Sequence, residues 1–80
     1  MMHGLVLVRQ EKEGKGLGYA KAFHAAVRRV PGVMDSYPVF GRFDDAVFLE
    51  AKDYNALLDL SGRIAAIPGV KSTETLPEGP

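Results

Sequence analysis

The 80-residue chain has the length of one small domain, which leaves no room for a separate catalytic domain. Apolar residues make up 46% of the chain and charged residues 25%, values that are typical of a globular protein and exclude a disordered one. Its 10 basic and 10 acidic residues balance, so the chain lacks the strongly positive field on which nonspecific nucleic-acid binding depends.

The absence of cysteine excludes disulfides, thiolate metal sites and a cysteine nucleophile. The longest aliphatic run, residues 5–8, is far shorter than the about 20 residues of a membrane-spanning helix, and the first residues do not resemble a signal peptide. We therefore expect a cytoplasmic protein with no cofactor, no metal, no membrane contact and no direct nucleic-acid partner.

An internal repeat divides the chain into two halves. Residues 27–33 recur as residues 64–70, and both segments end in Pro-Gly-Val. Before each Pro-Gly, apolar residues recur at the spacing of one helical face: Ala20, Phe23, Val27 and Val30, then Leu57, Leu60, Ile64 and Ile67. The pattern predicts one helix in each half, ending at Pro-Gly because proline cannot continue the hydrogen-bond ladder.

Strand-like segments flank both predicted helices. Residues 5–8 and 46–49 precede the helices, and residues 33–40 and 70–76 follow them. The order βαββαβ predicts an α+β, ferredoxin-like split βαβ fold over residues 1–80. We expect a four-stranded antiparallel sheet in the order 4-1-3-2 with both helices on one face.

Two single residues fit this topology. Asp53 is a plausible N-cap for the second helix, since its carboxylate can accept from the unpaired amides of the first turn. Pro38 falls in strand 2, which the predicted order places at the edge of the sheet, where a missing amide is tolerated.

The two central strands are apolar on both faces. In strand 1, Leu5 and Leu7 alternate with Val6 and Val8, and residues 46–49 of strand 3 show the same pattern. The helices cover one face only, and a chain of this length has nothing left to cover the other. We predict an obligate homodimer with its sheets face to face, a dimeric α/β barrel. A monomer whose apolar patch binds a different partner is the alternative.

The connection after strand 1 is rich in glycine and lysine. Gly14, Gly16 and Gly18, with Lys12 and Lys15, suggest a phosphate cradle, but the spacing fits neither a dinucleotide fingerprint nor a P-loop. We predict a solvated loop, with anion binding as the alternative.

Both histidines, His3 and His24, are predicted to lie on the surface. Neither stands at a catalytic or metal-ligating spacing from a nucleophile or a pair of carboxylates.

The connection between strands 2 and 3 combines aromatic residues, a glycine and two adjacent carboxylates. A hairpin with a protective charge pair accounts for this pattern. The functional interpretation is a ligand loop: amides near Gly41 for a carboxylate, Asp44 for an ammonium, and Tyr37 or Phe43 as an aromatic wall. An RNA-recognition motif shares the element order but does not fit, because the adjacent carboxylates would repel phosphate.

Together these motifs resemble the C-terminal effector-binding (RAM) domain of the Lrp/AsnC family of bacterial and archaeal transcription regulators. The resemblance covers residues 5–76 and is carried by Pro31-Gly32-Val33, Tyr37, Gly41-Arg42-Phe43-Asp44, Ile67-Pro68-Gly69-Val70 and Ser72-Thr73-Glu74-Thr75-Leu76. It implies a non-enzymatic, amino-acid-sensing module. It also implies dimers that assemble further, from tetramer to octamer or decamer, with the effector in a cleft between dimers.

Carried over by position, the resemblance places the effector site on the loop and on strand 4. The implied ligand-binding residues are Tyr37, Gly41, Arg42, Phe43, Asp44, Ser72, Thr73 and Thr75. Asp45 departs from the family, in which an apolar or aromatic residue is common after the loop.

Family regulators also carry an N-terminal helix-turn-helix domain, for which this chain has no room. We therefore expect a stand-alone effector domain that does not bind DNA and whose partners include full-length Lrp/AsnC regulators.

Two other functions are compatible with the predicted fold. A small dimeric α/β-barrel enzyme of the monooxygenase type would need titratable groups in its cavity, for which the sequence offers His24, Tyr19 and Glu50. A purely structural oligomerisation partner would need no ligand site.

Overall fold

A computed structural model describes residues 1–11 and 16–79, with side chains for 1–11 and 22–79. The elements are β1 (Met2–Gln10), α1 (Gly16–Val27), β2 (Val33–Pro38), β3 (Asp45–Ala51), α2 (Tyr54–Ala65) and β4 (Val70–Pro77). The strands form one antiparallel sheet in the order β2-β3-β1-β4, which confirms the predicted ferredoxin-like topology. Within the described residues, neither helix is long and apolar enough to cross a membrane.

Helix α2 forms where a capping residue precedes an amphipathic segment. The Asp53 carboxylate accepts a hydrogen bond from the Ala56 amide at 2.8 Å, so the predicted N-cap is confirmed. Leu57, Leu60 and Ile64 then form the buried face of the helix and pack into the core, as their spacing predicts.

Both helices end before the Pro-Gly pairs. The sequence pattern predicts Val30 and Ile67 as the last apolar residues of the helices, but both lie in the turns that follow. Their side chains still pack against the core. Pro-Gly makes the reversal into the next strand, since Gly32 and Gly69 have φ values of +102° and +95°, a region that favours glycine.

The sheet has one face covered by the helices and one that they leave open. Alternate residues of β1 are buried beneath the helices, whereas Leu5 and Leu7 point to the other side and are partly exposed. The register places Phe48 and Leu76 on either side of Leu5, with exposed fractions of 38% and 45%. We call this surface the open face; its apolar residues are Leu5, Leu7, Tyr37, Ala46, Phe48 and Leu76. The two-sided apolar character predicted for the central strands is therefore present.

A pair of glycines tests the packing of α2 on the turn before β2. In Gly62→Ala the new Cβ meets nothing within 4 Å, so we expect the free energy of unfolding to rise by about 1 kcal/mol from helix propensity. In Gly32→Ala the Cβ would lie 2.5 Å from Leu60 Cδ1 at a positive φ, so we expect a loss of about 1–3 kcal/mol. Urea denaturation followed by circular dichroism at one protein concentration measures both, and equal effects would contradict this turn geometry.

Candidate functional site

A groove of about 610 Å³ lies where the β2–β3 loop meets the ends of β1 and β4. Its lining residues are Arg9, Gln10, Glu11, Gly41, Arg42, Asp44 and Lys71. Because cations and acids both line it, we call it the charged groove. Three of the predicted ligand-binding residues, Gly41, Arg42 and Asp44, therefore meet in one concave site.

The loop is held in place by backbone hydrogen bonds. The Val39 amide donates to the Asp44 carbonyl at 3.0 Å, and the Asp44 amide donates to the Val8 carbonyl at 2.8 Å. Gly41, within this loop, has a φ of +108°, and a Cβ there would meet nothing within 4 Å. The backbone at Gly41 thus lies open beside the groove.

Arg9 fixes the loop from the open-face side of β1. Its Nε donates to the Arg42 carbonyl at 3.0 Å, and its guanidinium carbon lies 5.8 Å from the centroid of the Phe43 ring. This distance allows a cation–π interaction. Phe43 therefore contacts Arg9, next to the lining residues rather than among them.

Gln10 binds two consecutive carboxylates. Its backbone amide donates to Asp44 Oδ2 at 2.8 Å, and its side-chain Nε2 donates to Asp45 Oδ2. Gln10 is 6% exposed, and hydrogen bonds shielded from water are electrostatically stronger than exposed ones. The last residue of β1 therefore anchors the end of the loop at two points.

Beneath this contact lies a buried polar cluster that links β3 to α1 and β2. Asp45 is 2% exposed, and its Oδ1 lies 2.8 Å from His24 Nε2. The other ring nitrogen, Nδ1, lies 2.8 Å from the hydroxyl oxygen of Ser36. The prediction of a surface position is wrong for His24, whose side chain is only 15% exposed between α1 and the sheet.

The structure does not bring every predicted ligand-binding residue to the groove. Tyr37 lies on the open face, and Ser72 lies beside Arg9 across the β1–β4 ladder. Thr73 and Thr75 lie on the helix-facing side of β4, since they pair with buried residues of β1.

The β4 residue that reaches the groove is Lys71, which the sequence argument missed. Arg9 pairs with Ser72 but Gln10 pairs with Val70, so the register shifts by one residue and leaves Lys71 in a β-bulge. Bulges redirect side chains and are common next to binding sites. The sequence argument also missed Arg9, Gln10 and Glu11, because the end of β1 carries no recognisable motif.

The groups considered for an enzyme do not converge. Glu50 Oε2 lies 2.9 Å from His3 Nε2 on the open face, whereas His24 lies on the helix-facing side. The Tyr19 side chain and the glycine-rich connection at 12–15 lie outside the described residues. Across the described part of the chain, no three His, Asp or Glu side chains are grouped to hold a metal ion.

Comparison with known proteins agrees with the predicted fold and family. The family model of the Lrp/AsnC ligand binding domain matches residues 6–77, nearly the whole chain. The chain belongs to this family. The resemblance stated from its motifs is thereby confirmed, and no curated protein matches the chain at a significant level. Lrp/AsnC domains of this kind are regulatory rather than enzymatic, and they are the ligand-binding parts of regulators that oligomerise.

Solved structures share the Lrp/AsnC fold. The protein TTHA0845 from Thermus thermophilus is 28% identical, with a TM-score of 0.84 over 100% of this chain and 95% of that one. The hypothetical protein PHS023 from Pyrococcus horikoshii is 21% identical, with a TM-score of 0.79 over 100% and 92%. An AsnC family transcriptional regulator from Agrobacterium tumefaciens is 18% identical, with a TM-score of 0.82 over 99% of this chain and 50% of that one.

Asp45, the first residue of β3, carries a carboxyl group whose pKa is shifted by its surroundings. Burial raises the pKa of Asp45 above its ordinary value because the charged form loses hydration, and the neighbouring Asp44 charge acts in the same direction. The hydrogen bond from Gln10 and the proximity of His24 oppose this shift without cancelling it.

Asp45→Asn tests this effect, since Asn removes the charge but keeps an acceptor for Gln10. With its pKa raised in the folded state, wild-type Asp45 makes the free energy of unfolding fall as pH rises from 3.8 through the folded pKa. We expect the variant to be more stable than wild type at neutral pH, by a margin that shrinks as pH falls. Urea denaturation across this pH range measures the margin.

Asp59→Asn is the control, because Asp59 is an exposed carboxylate on α2. We expect the free energy of unfolding of this variant at neutral pH to stay within about 0.5 kcal/mol of the wild-type value. A margin for Asp45→Asn that grows on acidification would contradict the assignment.

Proposed function

We propose that this Lrp/AsnC domain is a non-enzymatic sensor that binds a free amino acid in the charged groove. The observation that carries the proposal is the meeting of cations and acids around the open Gly41 backbone, in a domain of a ligand-binding family. A free amino acid presents an ammonium and a carboxylate close together, so its site needs both signs of charge in a small space.

The proposed contacts follow the charges. The α-carboxylate of the ligand binds the Arg42 guanidinium beside the Gly41 backbone, and the ammonium binds Glu11, with Asp44 next to it. Asp44 has a structural task as well, since its Oδ2 accepts from the Gln10 amide. Ser72 pairs with the lining residue Arg9 across the β1–β4 ladder, so it lies at the border of this site.

The remaining predicted residues take different roles in this proposal. Phe43 supports the site through Arg9, and Tyr37 belongs to the surface that a second copy covers. We leave Thr73 and Thr75 out of the site because they lie on the helix-facing side of β4.

We further propose that a second copy of the chain covers the open face. Both helices lie on the other side of the sheet, and the large apolar side chains Tyr37, Phe48 and Leu76 of the open face remain exposed. An apolar surface of this kind marks an interface, and a two-fold contact of sheet against sheet would bury it. The same surface would allow mixed assembly with full-length Lrp/AsnC regulators.

Assembly of dimers into tetramers or larger rings completes the proposal. Phe40, one residue from Gly41 in the loop, is 100% exposed. A fully exposed aromatic side chain beside an open groove suits a contact that a neighbouring dimer covers. The ligand would then lie between dimers and stabilise their contact. We assign no DNA-binding role to this domain, because its formal net charge is zero.

Phe48→Asp tests the dimer. A charge placed in the covered open face should weaken association by about 3–5 kcal/mol, because it would be buried without a partner. Sedimentation equilibrium should give a mass of two or more 8.7 kDa chains for wild type and a smaller mass for the variant. Leu58→Asp is the control, because Leu58 is similarly exposed, at 42%, but lies on α2. A stable wild-type monomer, or equal effects of the two variants, would exclude the proposed interface.

A panel of the twenty amino acids tests the sensing function. A ligand at about 100 times its Kd should stabilise the folded assembly by about 2.7 kcal/mol, visible as a higher Tm. We expect one or a few amino acids to act, and Arg42→Gln to remove the response. Arg63→Gln, which changes a cation on α2 outside the charged groove, should retain it. A panel with no active member would contradict the proposal.

A further inference from the structure

The charged side chains that the structure describes in the groove divide into two that hold the loop and three that do not. Arg9 donates to the Arg42 carbonyl and packs over Phe43, while Asp44 accepts from the Gln10 amide. Arg9 and Asp44 carry opposite charges, so their contributions to the net charge of the groove cancel. The ligand therefore meets a balance that is set by the other three charges.

Those three are Arg42, Lys71 and Glu11, and all are exposed. Among the residues that the structure describes, neither the Arg42 guanidinium nor the Lys71 ammonium is paired with an acid. Arg42 comes from the β2–β3 loop and Lys71 from the β4 bulge, so the two cations approach the end of β1 from opposite sides. Counted over the described lining residues, the groove thus has two cationic contacts and one acidic contact available to a ligand.

Counting charges then distinguishes ligands. An amino acid with a neutral side chain matches one cation with its carboxylate and Glu11 with its ammonium, which leaves one cation of the groove unmatched. A ligand with a second carboxylate matches all three charges. A dicarboxylic acid without an ammonium would match the cations but would place negative charge beside Glu11, which is unfavourable.

We propose that the charged groove selects an acidic amino acid, with one carboxylate at Arg42, the other at Lys71 and the ammonium at Glu11. This inference rests on the proposed function, since it names the class of amino acid that the same groove takes. The groove has a volume of about 610 Å³, which is within the range of sites for ligands larger than an amino acid. Size therefore does not distinguish one amino acid from another here, and we expect charge to set the preference.

Isosteric ligand pairs test the proposal. Aspartate and asparagine, and glutamate and glutamine, have nearly the same shape but differ by one negative charge. We expect one of the acids to bind wild-type protein at least about tenfold more tightly than its amide by isothermal titration calorimetry. The preference should weaken with added salt, which screens exposed charges.

Two variants test whether Lys71 causes the preference for an acid over its amide. Lys71→Gln should bring the affinities of the acid and its amide close together, because it removes the contact for the second carboxylate. Lys52→Gln, a cation before α2 and outside the charged groove, is the matched control and should keep the preference of wild type. Circular dichroism should show both variants folded, since both lysines are exposed.

A third variant tests the ammonium contact. Glu11→Gln should improve the binding of succinate, a dicarboxylic acid without an ammonium, relative to aspartate. An unchanged ratio of the two affinities would remove Glu11 from the proposed contacts and overturn the charge count.

The outcomes separate this inference from the proposed function. If an amide or an apolar amino acid binds as tightly as the acids, the acidic preference is overturned while amino-acid sensing stands. If Lys71→Gln and Lys52→Gln behave alike, the assignment of the second carboxylate to Lys71 is overturned. If no amino acid binds at all, both proposals fail.

Discussion

The position of the candidate site depends on how one residue, Gln10, holds the end of the β2–β3 loop. Its backbone amide binds Asp44 and its side chain binds Asp45, so two adjacent carboxylates are fixed to the last residue of β1. Arg9, the residue before it, fixes the loop from the opposite side of the same strand. Since β1 is a central strand and its helix-facing residues are buried, the loop inherits the rigidity of the core. A binding site built on such a support is more precisely placed than one on an independent loop.

This support includes an ionisable carboxyl group where the core could have held an apolar side chain. Burying Asp45 is unfavourable, which its raised pKa reflects, and His24 and Gln10 compensate only in part. In return, the polar cluster connects α1, β2 and β3 beneath the loop through His24 and Ser36. The buried polar cluster lowers the free energy of unfolding but fixes the relative positions of α1, β2 and β3. It does so because hydrogen bonds have preferred directions and apolar contacts do not.

The fold could be predicted from the sequence because it follows from repeating patterns of residues. The Pro-Gly repeat and the alternation of apolar residues determine the element order, the strand order and the two faces of the sheet. The candidate site could be predicted only where its residues are contiguous in the chain, as at Gly41 and Arg42. Lys71 could not be predicted, because a bulge reverses the alternation of side chains along β4, and a shift of one residue exchanges the faces of a strand. Nothing in the spacing links His24 to Asp45, so the buried polar cluster could not be predicted from the sequence.

The bulge at Lys71 has a consequence beyond the groove. β2 and β4 are the edge strands of this sheet, and edges with unpaired amides and carbonyls invite further strands to add. One edge carries Pro38, which lacks an amide, and the other is interrupted at Lys71. Both interruptions hinder the addition of further strands at the sheet edges and so oppose fibril formation. A chain with so much apolar surface on its sheet can therefore pair through that surface while its borders resist polymerisation.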